Sequence, residues 1–252
     1  MHGRIETVWT EVDASEQVCA RLLIRVSWVR PPHGPPHIRY SNPQLTLVVQ
    51  FLDYTHGRNT MSGPIKSFTS DVPFWRPRIS PLDMEEASAE QLEAMKAPDS
   101  NTKIGEFIRV LALDSETLLC LMPLLNEVMY GDGGLSRPET ELGAVSASVA
   151  NRSIYCVAAH SHQYNQLTED HRVMNSIFSL GASAEFDPRQ KALFQFGTDL
   201  SQCPPKGTKA DIARLFGNGL NTQEILDLVL AAALFGWVNR LSMILGDPVS
   251  SN

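Results

Sequence analysis

The sequence predicts an all-α fold, a compact bundle of about eight helices. Three observations carry that prediction. Beyond residue 85 few stretches alternate apolar and polar residues with the period of a half-buried strand. Capping-box patterns open helices at Ser136-Arg137-Pro138-Glu139 and at Asn221-Thr222-Gln223-Glu224. The apolar segments that follow stop at glycine or proline, as helices do.

The elements follow in order. Residues 61–87 read as extended and are punctuated by Pro73, Pro77 and Pro81. Ser88 can cap a short helix through Met95. Residues 111–130 hold Asp114-Ser115-Glu116 and then a dense apolar stretch, the pattern of a buried helix, and the glycines from Gly131 to Gly134 break it. Ser136 opens a helix to about Ala150, with Pro138 in its first turn. A second helix carries Ser153 to about Leu167. Asp170 starts another, stopped near Gly181. Asp187-Pro188 starts the next, and Pro204-Pro205 ends it. A short helix covers residues 209–216. The last opens at Asn221, runs to about Leu245, and closes at Gly246 and Pro248.

Residues 1–60 differ in texture. They hold two strand-like apolar runs, residues 18–29 and 45–52, around a Pro/His stretch at residues 30–37. Two isolated strands are marginal in water. The expectation is an N-terminal extension, poorly ordered or not native, followed by one domain over residues 61–252.

The chain has 252 residues, 43% hydrophobic and 19% charged, with a net charge of −7. That suits a globular domain with a core. No basic excess points to nucleic acid or an anionic membrane. No run of about 18 consecutive apolar residues marks a membrane span. The first residues do not read as a secretory signal, because Arg4, Glu6, Glu11 and Asp13 interrupt them. The four cysteines are few and widely spread, so a reducing cytoplasm is the expected location. No glycine-rich loop joins a strand to a helix, so no dinucleotide cofactor is expected.

The chemistry concentrates in Ser153-Ile154-Tyr155-Cys156-Val157-Ala158-Ala159-His160. Offsets of three and four put Ser153, Cys156 and His160 on one stripe of a helix. Cys156 falls in the first turn, where free N–H groups and the helix dipole favour an anion. A thiolate is such an anion and is the reactive form of cysteine. His160 can accept the thiol proton. Glu141, on the preceding helix, can orient His160 and raise its basicity if the two helices pack antiparallel. Packing alone also explains such residues, since cysteine is often simply a small core residue. A metal set of Cys156, His160, His162 and His171 is weaker, because His162 points about 200° from His160 on a helix, and no metal is expected. Asn239 and Arg240 interrupt an apolar helix and are expected to bond across a contact.

The run Glu141-Leu142-Gly143-Ala144-Val145-Ser146, followed by Ser153 to His160, strongly resembles the carboxymuconolactone decarboxylase and AhpD-like alkylhydroperoxidase family. The family pattern is Glu, eleven residues, Cys-x-x-Cys, three residues, His. Glu141, Cys156 and His160 match it in type and spacing, and Ser153 stands at its first cysteine. Residues 187–200 and 220–241 resemble its middle and closing helices. The likeness spans roughly residues 75–248 and is nearest the peroxidase-related subgroup.

The resemblance implies an all-helical homo-oligomer, a trimer or hexamer, with the site near subunit contacts. Redox members reduce hydroperoxides as antioxidant enzymes. Cys156 matches their activated thiol, fed by the Glu and His, and a thiol reductant or reductase protein reopens the disulfide. Other members act on a small organic acid without redox chemistry. Ser153 cannot close that disulfide. The expected function is therefore a peroxidase with one activated cysteine, with acid–base chemistry or a catalytically lapsed oligomer as alternatives. Ser153 can instead donate a hydrogen bond to the Cys156 thiolate.

Overall fold

A computed structural model describes residues 63–96 and 104–250, all within the unit Met61–Asn252. The strands expected at residues 18–29 and 45–52 lie outside the described residues. Among the described residues are nine α-helices, one short 3₁₀ turn and two short strands. The chain runs β1 (Phe74–Pro77), α1 (Ala89–Ala94), α2 (Glu106–Leu111), α3 (Ser115–Tyr130), α4 (Arg137–Asn151), α5 (Ile154–Thr168), α6 (Arg172–Leu180), α7 (Pro188–Leu200), α8 (Lys209–Gly217), α9 (Thr222–Leu245) and β2 (Gly246–Val249). The fold is all-α, as the sequence predicts.

The helix starts follow from capping chemistry. Ser88, Ser136, Thr208 and Asn221 each form a full capping box with the residue three places on. Each box satisfies orphan N–H groups of the first turn. The acids of two boxes do a second job. Arg189 of α7 donates from Nε to Glu139 at 2.6 Å and from Nη2 to Glu224 at 2.6 Å. One guanidinium thus ties together the N-termini of α4, α7 and α9.

Helix α4 is the centre. Thr140 to Ser148 are all buried, so it is covered on every side. It lies between two apolar clusters, contributing Leu142 and Val145 to one and Ala144 and Ala147 to the other. Small residues let its neighbours close in. A Cβ on Gly197 of α7 would sit 1.9 Å from Ser146 Oγ, and one on Gly143 would sit 3.3 Å from Leu228 of α9. The buried hydroxyls stay satisfied by bonding back into α4: Ser146 to the Gly143 carbonyl and Ser148 to the Ala144 carbonyl, both at 2.7 Å.

The turn from α4 to α5 is two residues long. Arg152 takes φ +59°, and the Ser153 N–H returns to the Ser148 carbonyl at 2.9 Å. That left-handed residue reverses the chain. It makes Ser153 the N-cap of α5 and puts Cys156 in the first turn.

Two features depart from the sequence expectation. Helix α2 forms a separate element before α3, split from it at Asp114, which caps α3 through Thr117 N–H. The two strands pair antiparallel, Phe74 with Val249 through Pro77 with Gly246. Four-residue strands containing Pro77 and Pro248 carry no readable alternation, and their pairing joins the two ends of the domain.

That pairing closes α9. The last four carbonyls of a helix have no partner within it. Here Trp75 Nε1 donates to the Ser242 carbonyl at 3.1 Å, and Arg78 Nη1 donates to Met243 and Ile244 at 2.7 and 2.8 Å. The Arg78 N–H takes the Leu245 carbonyl at 2.7 Å. Gly246 makes room: a Cβ there would lie 2.3 Å from the Trp75 ring.

Helix α9 is long and apolar enough to cross a membrane by length and composition alone. Within the fold it is a packing helix. Leu228 and Ala231 meet Gly143 of α4, and its polar Asn239 and Ser242 are buried and hydrogen-bonded.

Candidate active site

The α4–α5 hairpin brings Glu141 against His160. Glu141 Oε2 lies 2.6 Å from His160 Nδ1, and Arg137 Nη2 donates to the other oxygen, Oε1, at 2.5 Å. The Glu141 side chain is 2% exposed. A buried carboxylate of this kind survives only when both oxygens find strong partners. Burial alone pushes its pKa up; the His160 ring and the Arg137 guanidinium more than offset that and hold it below the ordinary value. Arg137 is itself anchored by donating to the Met129 carbonyl and lying over the Tyr130 ring, 4.4 Å from its centre. His160 is packed edge-on to Phe235 of α9, with centroids 4.2 Å apart.

Sequence reasoning missed Arg137. The signal was there, because Arg137 and Glu141 are four residues apart on one helix, where opposite charges meet.

Cys156 is buried, one helical turn before His160, yet its hydrogen-bond partners are hydroxyls. Ser242 Oγ, from the end of α9, lies 3.3 Å from its sulfur. The Ser153 hydroxyl lies 3.1 Å from Ser242 Oγ and also acts to lower the thiol pKa. Ser153 therefore spends its side chain on this cluster and caps no N–H of α5. Among the described residues no hydrogen bond joins Cys156 directly to His160. Burial pushes the Cys156 thiol up, and the two hydroxyls act in the opposite direction. Burial thus opposes the thiolate that the helix start was expected to favour.

Ser242 was also missed. It sits 86 residues from Cys156 in an apolar helix, and no local pattern connects the two. Asn239 bonds across a helix contact as expected, accepting from Ser148 at 3.1 Å. Arg240 does not: it is exposed and bonds its own helix at the Gly236 carbonyl. His162 and His171 are both exposed; His171 bonds Asn165 at 3.0 Å and takes no part in the cluster.

This arrangement sets an imidazole oriented by a buried carboxylate one helical turn from a buried thiol. Residues 115–199 match the model of the carboxymuconolactone decarboxylase family. That stretch of the chain is similar to this family. The match holds Glu141, Ser153, Cys156 and His160, and stops before Ser242.

Among solved structures, an uncharacterised peroxidase-related protein with the alkylhydroperoxidase AhpD core, from Ralstonia eutropha JMP134, is 25% identical. The alignment covers 55% of this chain and 73% of that one, with a TM-score of 0.51. A peroxidase-related protein from Silicibacter sp. TM1040 is 22% identical over 77% of this chain and 96% of its own, with a TM-score of 0.57. The debrominase Bmp8 shares the fold at 15% identity, covering 66% and 89% of the two chains, with a TM-score of 0.57. No curated protein matches the chain.

Proposed function

We propose that the protein is a thiol-dependent hydroperoxide reductase working through one cysteine. The observation that supports this reading is the buried Glu141–His160 pair, 2.6 Å apart, on the hairpin whose second helix also carries Cys156. With Nδ1 committed to Glu141, Nε2 is the nitrogen that takes and returns protons. His160 takes the Cys156 proton, through a bridging water or through the bound hydroperoxide. The thiolate attacks the peroxide oxygen, forming an S–O bond as the O–O bond breaks. The alkoxide leaves as an alcohol with the proton from His160. Cys156 is oxidised to the sulfenic acid, and the peroxide is reduced.

Ser153 offers no second thiol, so an external thiol finishes the cycle. The first equivalent attacks the sulfenic sulfur and expels water. The second releases Cys156 and leaves as the disulfide. Such a cycle suits a reducing cytoplasm. It also suits a homo-oligomer built on α9, whose Leu226, Leu230, Trp237 and Ile244 are exposed along one face. Light scattering that returns a monomer mass would remove the oligomer from this reading.

A second reading rests on a specific observation: His160 bonds Glu141 and not Cys156, and burial keeps the thiol neutral. Glu141 and His160 would then perform acid–base work on a small organic acid. Turnover of an organic hydroperoxide with a thiol reductant separates the two. The peroxidase reading expects turnover in the wild type and none in Cys156→Ser. Equal turnover in both would sink it.

A further inference from the structure

We propose that Ser242 is a hydroxyl donor to the Cys156 thiolate and completes, with Ser153, a two-hydroxyl cradle for the sulfur anion. The inference rests on Cys156 being the nucleophile proposed above, and it adds a residue from outside the stretch that matches the family.

The resting cluster holds three X–H groups: the Cys156 thiol and the two serine hydroxyls. The Ser242 hydroxyl donates to the Asn239 carbonyl at 3.0 Å. Its oxygen is then the acceptor for its other two neighbours, Cys156 at 3.3 Å and Ser153 at 3.1 Å. That suits a thiol, which carries its own proton to give. Once the thiol proton leaves, the sulfur can only accept. Ser242 then turns its hydrogen from Asn239 to the sulfur. The turn leaves little unpaired, because the Asn239 carbonyl still accepts the ordinary helical bond from the Met243 N–H. Ser153 makes the same change of donor direction. The anion gains two O–H donors beside the N-terminal N–H groups of α5.

Placement supports the assignment. Cys156, Ser153 and Ser242 are all almost fully buried, so water does not readily substitute for either hydroxyl. Ser242 is fixed from outside: Trp75 Nε1 holds its carbonyl at 3.1 Å, and Gly246 leaves the ring its space. Among the described residues, no charged side chain hydrogen-bonds the sulfur. The titratable group coupled to it is Tyr155, whose phenol is pushed up by burial and then by the sulfur's charge. Among the described residues, hydroxyls are therefore the side chains placed to stabilise the sulfur anion.

The test is the thiolate absorbance of Cys156 in the ultraviolet as a function of pH, with Cys156→Ser as the blank. It needs neither peroxide nor turnover, so a failure of the peroxidase reading does not touch it. Ser242→Ala is expected to leave about tenfold less thiolate at a given pH, the weight of one hydrogen bond to a charged atom. Ser153→Ala should do the same. Ser242→Thr, which keeps the hydroxyl, should restore the wild-type midpoint, whereas Tyr155→Phe should not raise it. Circular dichroism confirms that each variant is folded. A Ser242→Ala midpoint equal to wild type in a folded protein overturns the proposal. So does a Ser242→Thr midpoint as high as that of Ser242→Ala, because the effect would then be packing.

Discussion

Glu141 meets His160 through two helices adjacent in sequence, whereas Cys156 meets Ser242 from a helix far along the chain. The first contact spans 19 residues and the second 86. The first is charged: a carboxylate held by an imidazole and a guanidinium. The second is neutral: a thiol among hydroxyls. The two halves tolerate burial in different ways. The carboxylate is ionised inside the protein because Arg137 and His160 more than offset the cost of desolvation. The thiol has no such counter-charge, so burial keeps its proton on. In the proposed reaction the thiol is therefore deprotonated on demand, by His160.

Substitutions that break one half and spare the other sharpen this contrast. The largest expected effect is on chemistry. His160→Ala should cut hydroperoxide turnover by roughly 10²–10⁴, the usual worth of a positioned general base. Glu141→Gln should cut it less, since the imidazole survives but loses its orienting charge. Equal rates in wild type and His160→Ala would break the relay half of the account.

Acid and alkali should separate the halves next. Glu141 has a folded pKa below its ordinary 4.5. Its contribution to stability is therefore present above that ordinary value and is lost as pH falls through the lower folded one. Cys156 has a folded pKa above its ordinary 9.0. Its contribution is present below that ordinary value and fades as pH rises through the higher folded one. Denaturation across pH should show Glu141→Gln with a flatter acid limb and Cys156→Ser with a flatter alkaline limb. Unchanged limbs in both variants would contradict the assignment.

The next effect is structural and belongs to the α9 end. Gly246→Ala puts a methyl group into the Trp75 ring, and Gly197→Ala puts one into Ser146. Each should cost about 1–3 kcal/mol in chemical denaturation, the range for overpacking a core. Gly246→Ala should also disturb Ser242 and hence the thiol, whereas Gly197→Ala should leave the thiol midpoint alone. The smallest effect is a gain. Arg152 holds φ +59° without being glycine. Arg152→Gly should stabilise the hairpin by about 1 kcal/mol; a lower melting temperature would contradict that.

The relay half was legible in the sequence because it is local. Ser153, Cys156 and His160 share a stripe by helical spacing, and a two-residue turn brings Glu141 opposite. The capping boxes at Ser136 and Asn221 were legible for the same reason. The thiol half was not. Ser242 lies in an apolar helix, and only the packing of α9 beside α5, with Trp75 and Arg78 closing its end, brings it to the sulfur. The β1–β2 pairing was illegible too, since strands this short and rich in proline show no period. Helix α2 was hidden because its apolar residues run into those of α3, with Asp114 as the sole break.

The proposed reaction requires that the Cys156 sulfur be the atom that meets peroxide. Treating the protein with an organic hydroperoxide in the presence of a sulfenic-acid trap, then mapping the adduct by mass spectrometry, tests this directly. The prediction is an adduct on Cys156 that grows with peroxide and disappears when a thiol reductant is added first, with the same protein turning peroxide over. Peroxide consumed without any adduct on Cys156, or undiminished consumption by Cys156→Ser, would contradict it.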